Sequence, residues 1–158
     1  MKKFDKAAFE LTVFQEFSKL VGLNVDEGAI WQLPPPNPDI CCSVDGVERR
    51  FELTLITDPT IERKVRTSTS FYSNFKIEIH DLVERIRSKA DKAYQSGSVI
   101  ELVLHEGATP IDDLWLYDQH ALNESMEMAT RESQFGRIWL VDFSNEKYRV
   151  YPSSYSTS

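Results

Sequence analysis

Pro38-Asp39-Ile40-Cys41-Cys42-Ser43-Val44-Asp45-Gly46-Val47-Glu48-Arg49-Arg50-Phe51-Glu52-Leu53-Thr54-Leu55-Ile56 reads as two alternating runs that meet at Asp45-Gly46. That dipeptide favours a two-residue hairpin turn with both central residues at positive φ. With Val44 and Val47 flanking the turn, Ser43 opposes Glu48, Cys41 opposes Arg50, and Asp39 opposes Glu52. Alternation predicts an apolar face of Ile40, Cys42, Val44, Val47, Phe51, Leu53 and Leu55, with Arg49 its only charged member. The other face carries Asp39, Cys41, Ser43, Glu48, Arg50, Glu52 and Thr54 and is expected to be polar.

Opposed residues on one face have Cβ atoms about 4.5–5.5 Å apart, so Asp39 and Glu52 are expected to repel each other. A divalent cation, a basic partner, or a raised pKa on one acid would offset that repulsion. The plainer reading is that Asp39 only ends the extended run after Pro34-Pro35-Pro36, while Glu52 is a solvated strand residue balanced by Arg50.

Pro38-Asp39, a short strand, a turn, and Glu52-Leu53-Thr54 inside an apolar strand together resemble the signature of the PD-(D/E)XK nuclease superfamily. The resemblance implies that Asp39 and Glu52 bind a catalytic divalent metal, Mg²⁺ or Mn²⁺. Thr54 stands where the family has a Lys that assists the attacking water. The family sometimes presents that cation from the neighbouring helix, which makes Lys64 or Lys76 the substitute. It also often places an acid on its first helix, facing the site, and Glu10 matches that position.

The residues around Glu10 support a helix from Phe4 to about Val21, with Phe4, Ala7, Leu11, Phe14, Phe17 and Val21 at helical spacing and Gly22 as the stop. Glu10 falls near the middle of the apolar arc, where a carboxylate needs a partner or a route to water along its stem. Ala29–Leu33 reads as a short strand, and the proline run that follows forces an extended link to the hairpin. Ile77 to about Tyr94 reads as a second helix and Ser98–His105 as a buried strand.

The expected fold is therefore α/β with a mixed sheet, ordered helix-strand-strand-strand-helix-strand over about 4–105, which is the restriction-endonuclease-like core that the resemblance implies. Residues 106–152 would extend it, with Pro110–Trp115 leading into a third helix that ends at about Ser133, and a hairpin of Arg137–Phe143 and Lys147–Tyr151 around Ser144-Asn145. A single domain over 1–152 is expected, with a disordered tail at 153–158.

Composition narrows the function classes. The chain of 158 residues has 41% hydrophobic and 11% aromatic residues, enough for one core. Met1–Lys6 runs straight into a charged helix and no apolar run approaches membrane-spanning length, so a cytoplasmic protein is expected. Cys41 and Cys42 are adjacent on a strand and point to opposite faces, which disfavours a disulfide between them. Neither the cysteines nor His80, His105 and His120 have zinc-ligand spacing. A Cys-His nucleophile, a Gly-rich phosphate loop, a serine elbow and HExxH all lack support.

The net charge of −7 argues against a generic nucleic-acid coat, but the charge is uneven. Residues 49–100 hold 10 basic and 7 acidic side chains, whereas 101–158 hold 4 and 10. Arg63, Lys64, Arg66 and Lys76, interleaved with Ser, Thr, Phe71, Tyr72 and Phe75, form a candidate nucleic-acid contact segment. Two functions remain: a metal-dependent nuclease using Asp39, Glu52, Thr54 and Glu10, or a catalytically degenerate relative that binds nucleic acid or protein. The C-terminal hairpin is a possible contact for a protein partner or a homodimer.

Overall fold

The computed structural model describes residues 5–34, 37–56, 77–91, 99–107 and 110–153. Helix α1, Lys6–Val21, starts where the Asp5 side chain accepts from the Ala8 N–H at 3.1 Å and ends at Gly22, whose φ of 76° suits a residue without Cβ. Val13, Phe14, Phe17 and Val21 are its buried stripe. The expected apolar arc narrows at its start, because Phe9 is 37% exposed there.

Strand β1 runs Val25–Trp31, beginning earlier than the expected Ala29. Gly28 has a φ of 69°, and the register with the next strand shifts between Val25 and Ile30. This irregularity breaks the alternation that would have revealed the strand. The Asp26 carboxylate beside it accepts from the Ser43 hydroxyl and from the Gly46 N–H, which ties β1 to the hairpin turn.

The hairpin forms as expected. Strand β2 is Ile40–Val44 and strand β3 is Val47–Leu55, and their register pairs Ile40 with Phe51, Cys41 with Arg50, Cys42 with Arg49, Ser43 with Glu48 and Val44 with Val47. Asp45 and Gly46 both have positive φ, 51° and 80°. Helix α2, Ile79–Ala90, leads to β4, Ile100–His105, which is parallel to β3. A 3₁₀ turn at Asp112–Trp115 and helix α3, Gln119–Glu132, lead to β5, Arg137–Asp142, parallel to β4. The Pro110–Trp115 stretch leads into α3 as expected, and the Asp118 side chain caps the helix start by accepting from the His120 and Ala121 N–H groups. Strand β6, Lys147–Tyr151, closes an antiparallel hairpin with β5.

The result is an α/β fold with one six-stranded mixed sheet in the order β1-β2-β3-β4-β5-β6. One face packs Phe14, Phe17 and Val21 of α1 against Ile40, Cys42, Phe51, Val103, Trp139 and Val141. The opposite face packs Leu82 and Ile86 of α2 and Leu122 and Met126 of α3 against Leu102, Leu104, Ile138 and Leu140. Trp139 is fully buried, with its ring edge-on to Phe17 at 5.2 Å, so it is core; Tyr148 lies beside it at 6.1 Å. No helix among the described residues is long and apolar enough to cross a membrane.

Covering both faces revises the hairpin's expected polarity. Glu52 and Thr54 are 1% and 2% exposed, so the face expected to be polar is buried at that end, under α2. Val47, expected in the core, is exposed next to the turn. Alternation separates the two faces of a strand, but it does not tell which end of a face a crossover helix will cover.

Arg49, the charge on the apolar face, is matched by Glu101 on β4. Its Nε and a terminal guanidinium nitrogen donate to the two Glu101 oxygens at 2.7 and 2.6 Å, and Trp139 Nε1 donates at 3.0 Å. Arg137 adds a longer contact at 3.3 Å. Removing one partner of such a buried pair leaves a desolvated charge, typically a loss of about 3–5 kcal/mol. Glu101→Ala is expected to lower the stability by about that amount in urea unfolding, and Arg49→Met with Glu101→Leu to recover most of it.

Candidate active site

Asp39 immediately precedes β2, Glu52 lies in the middle of β3, and Glu10 is in the first half of α1. The hairpin register brings the first two together through a reciprocal clasp. The Leu53 N–H donates to Asp39 Oδ2 at 2.9 Å, and the Asp39 N–H donates to Glu52 Oε1 at 3.3 Å. The Asp39 carboxyl also lies within hydrogen-bonding reach of the Glu52 and Glu10 carboxyls. Glu10 of α1 and Glu52 of β3 therefore both approach Asp39.

Burial raises the Asp39 pKa, and the neighbouring Glu10 carboxylate raises it further, while the Leu53 N–H and Glu52 oppose the shift. Glu10 is mostly shielded, and Lys6 lies 3.6 Å from it across one helical turn. Glu52 is almost fully buried, and its second oxygen faces the Lys89 ammonium of α2 at 3.8 Å.

Lys89 is the residue that sequence reasoning missed. It lies three residues beyond Ile86 of the buried Leu82–Ile86 stripe of α2 and four beyond Arg85, whose Nε donates to the Leu55 carbonyl at 2.9 Å. That basic i, i+4 pair was visible in the sequence, but nothing in it indicated that α2 would lie over Glu52. Lys64 and Lys76, the expected substitutes, lie outside the described residues, as do Arg63 and Arg66. Thr54 projects from the same face of β3 as Glu52, and among the described residues its buried hydroxyl has no hydrogen-bond partner.

Among the described residues, no group of three His, Cys, Asp or Glu side chains is arranged to hold a metal ion. The donor set fits a hard cation in a more limited way. Mg²⁺ commonly keeps several waters and takes only one or two carboxylates plus substrate phosphates. Asp39 and Glu10 supply such a pair of oxygen donors.

A cysteine nucleophile is disfavoured by the same physics. Burial pushes Cys42 up to about 12, and it also raises Cys41, whose thiol lies 3.3 Å from Glu48 Oε1.

A second acid pair, not foreseen from the sequence, joins the ends of β4 and β5. Asp142 accepts from Trp115 Nε1 and Asn145 Nδ2, both at 2.7 Å, and Glu106 accepts from the Ser144 N–H at 2.9 Å. Burial raises Glu106, whereas Asp142 is lowered: its hydrogen bonds from Asn145, Trp115 and Glu106 outweigh the larger opposing effect of its burial.

Comparison of the chain with family models, curated proteins and solved structures returned no match. The functional reading therefore rests on this geometry and on the motif.

The pKa shifts predict a pH dependence. A carboxyl raised on folding stabilises the protein below its unfolded value, and that stability is lost as pH rises through the folded value. Asp39→Asn keeps an acceptor for the Leu53 N–H but has nothing to deprotonate. Thermal unfolding across pH 4–7 is expected to show a smaller stability loss on the rising-pH side for Asp39→Asn than for the wild type.

Proposed function

We propose that this protein is a divalent-metal-dependent hydrolase of nucleic-acid phosphodiesters, built on a restriction-endonuclease-like core. The observation that carries this reading is the meeting of Glu10, Asp39 and Glu52 with the Lys89 ammonium at Glu52. Among the described residues the elements run helix, strand, strand, strand, helix, strand, which supports this reading. Lys89 occupies the role of the cation that Thr54 lacks, approaching from the neighbouring helix rather than from β3.

A bound Mg²⁺ or Mn²⁺ would supply charge neutralisation at the phosphate and a more acidic water. The chain's own residues do the rest. Asp39 and Glu10 would hold the cation, and the clasp with the Leu53 N–H fixes the Asp39 rotamer for that task. Glu52, faced by the Lys89 ammonium, would accept a proton from a water at the site. Lys89 offers a positive charge where negative charge develops on the phosphate oxygens. Thr54 has a hydroxyl on the same face with no hydrogen-bond partner among the described residues, which would serve that water or a phosphate oxygen.

One set of contacts favours the alternative, a catalytically degenerate binding protein. Asp39 Oδ2 and Glu52 Oε1 each accept from a backbone N–H, and Glu52 also faces Lys89, so the cluster is internally partnered without a metal.

The two readings separate in a cleavage assay on single- and double-stranded DNA and RNA with Mg²⁺ or Mn²⁺. Hydrolysis is expected, abolished by Asp39→Ala or Glu52→Ala, and reduced about 10²–10³-fold by Lys89→Ala with partial recovery in Lys89→Arg. No cleavage of any substrate, or cleavage unchanged in Asp39→Ala, would favour the binding protein. Independently of activity, millimolar Mg²⁺ is expected to raise the melting temperature, and Asp39→Asn to remove the increment.

A further inference from the structure

The turn between β5 and β6 is tied down by two buried acids, Glu106 just after β4 and Asp142 at the end of β5. Glu106 Oε1 accepts from the Ser144 N–H at 2.9 Å. Asp142 Oδ1 accepts from the Asn145 N–H at 3.1 Å, and its Oδ2 accepts from Asn145 Nδ2 and Trp115 Nε1, both at 2.7 Å. Asn145 Nδ2 also donates to Asp112 Oδ1 at 2.8 Å, so the turn and the 3₁₀ segment close on the same pair.

The Glu106 and Asp142 carboxyls lie within hydrogen-bonding reach of each other. Two carboxylates that close repel, whereas one proton between them converts the contact into a charge-assisted O–H···O hydrogen bond. The donors around the pair decide which acid keeps that proton. Among the described residues Asp142 collects three N–H donors, which favour its anion, while Glu106 receives the Ser144 N–H and faces the Ser144 hydroxyl. Glu106 is therefore the acid that donates and Asp142 the carboxylate that accepts. The shifts run the same way: burial raises Glu106 and the Asp142 charge adds to it, whereas burial of Asp142 is outweighed by its bonds from Asn145 and Trp115, which lower it.

Other charges border the pair from each neighbouring element. On β4, His105 is buried and its Nδ1 lies 2.9 Å from the Glu106 carbonyl. The 3₁₀ segment brings Asp112 through Asn145, and the turn itself carries the exposed Glu146. On β6, Lys147 and Arg149 lie over the Trp115 ring, 5.6 and 5.5 Å from its centre. Helix α1 presents Phe9 and Val13, which together with Glu106, Phe143 and Ser144 line a cleft of about 390 Å³.

We propose that Glu106 and Asp142 form a proton-operated latch: while they share one proton the turn at 143–146 is held against the end of β4, and loss of that proton releases the turn. Because Phe143 and Ser144 belong to the cleft lining, release opens the cleft on that side. The Glu106 contribution is fully present below the ordinary glutamate value, and it is lost as pH rises through the raised value of the closed turn. Asp142 acts in the opposite sense: its contribution is lost as pH falls through its lowered value. The latch is therefore closed at mildly acidic pH and opens with alkali, and it is independent of the chemistry at Asp39.

The test is an NMR titration of the ¹³C-labelled full-length protein over about pH 4 to 9, with amide hydrogen exchange measured at the same pH values. The Glu106 carboxyl carbon is expected to titrate above the ordinary glutamate range. Exchange at the Ser144 and Asn145 amides, divided by the intrinsic rate, is expected to rise about tenfold per pH unit between the ordinary and the closed-state Glu106 values and then to level off. Glu106→Gln keeps an acceptor for the Ser144 N–H and an N–H donor for Asp142 but has no proton to lose, so its corrected exchange is expected to stay flat over that range. A purely structural role for Glu106 would instead give parallel pH profiles in the wild type and Glu106→Gln, which would overturn the latch. A Glu106 carbon that titrates together with the exposed Glu124 would also overturn it, and that measurement needs only the wild type if Glu106→Gln fails to fold.

Discussion

Strand β3 is covered on both faces, and every charge it carries into the interior has to meet an opposite charge there. Toward α1, Arg49 is held by Glu101 through two short hydrogen bonds. Toward α2, Glu52 is held by Lys89 and by the Asp39 backbone. Because burial makes an unmatched charge costly, these two pairings restrict how β4 and α2 can sit against β3. The rest of the sheet is built outward from that three-element contact, with β1 and β2 on one side and β5 and β6 on the other.

The acid cluster inherits its geometry from the same constraint. The Asp45-Gly46 turn sets the register, the register places Asp39 beside Glu52, and the clasp through the Leu53 N–H holds Asp39 against the end of α1. Each oxygen that bonds to a backbone N–H is fixed in orientation, which suits a site in which donors must already be in place. The same bonds relieve the repulsion that first drew attention to the pair, so the cluster serves both packing and chemistry. The Glu106–Asp142 pair does similar work at the far end of β4 and β5, where it links the Asp112–Trp115 turn to the turn between β5 and β6.

Much of this was legible in the sequence because it is local. A hairpin turn with two positive-φ residues, an alternating strand, a helix with an acid on its apolar arc and a helical stop at Gly22 are each encoded within a few residues. Hence the hairpin register, the helix α1 and the side-by-side placement of Asp39 and Glu52 followed from periodicity and turn chemistry. The start of β1 was missed because Gly28 interrupts its alternation.

The sequence by itself determined which residues share a face and which acids stand side by side, since strand period and turn type set both. Only the tertiary structure decided which face is covered, that Lys89 rather than a residue on β3 faces Glu52, that Arg49 finds Glu101, and that Glu106 meets Asp142. Each of those pairs joins two elements across a crossover. Their meeting depends on how a helix lies on the sheet or how parallel strands align, which is set by the packing of the whole core and by no local spacing.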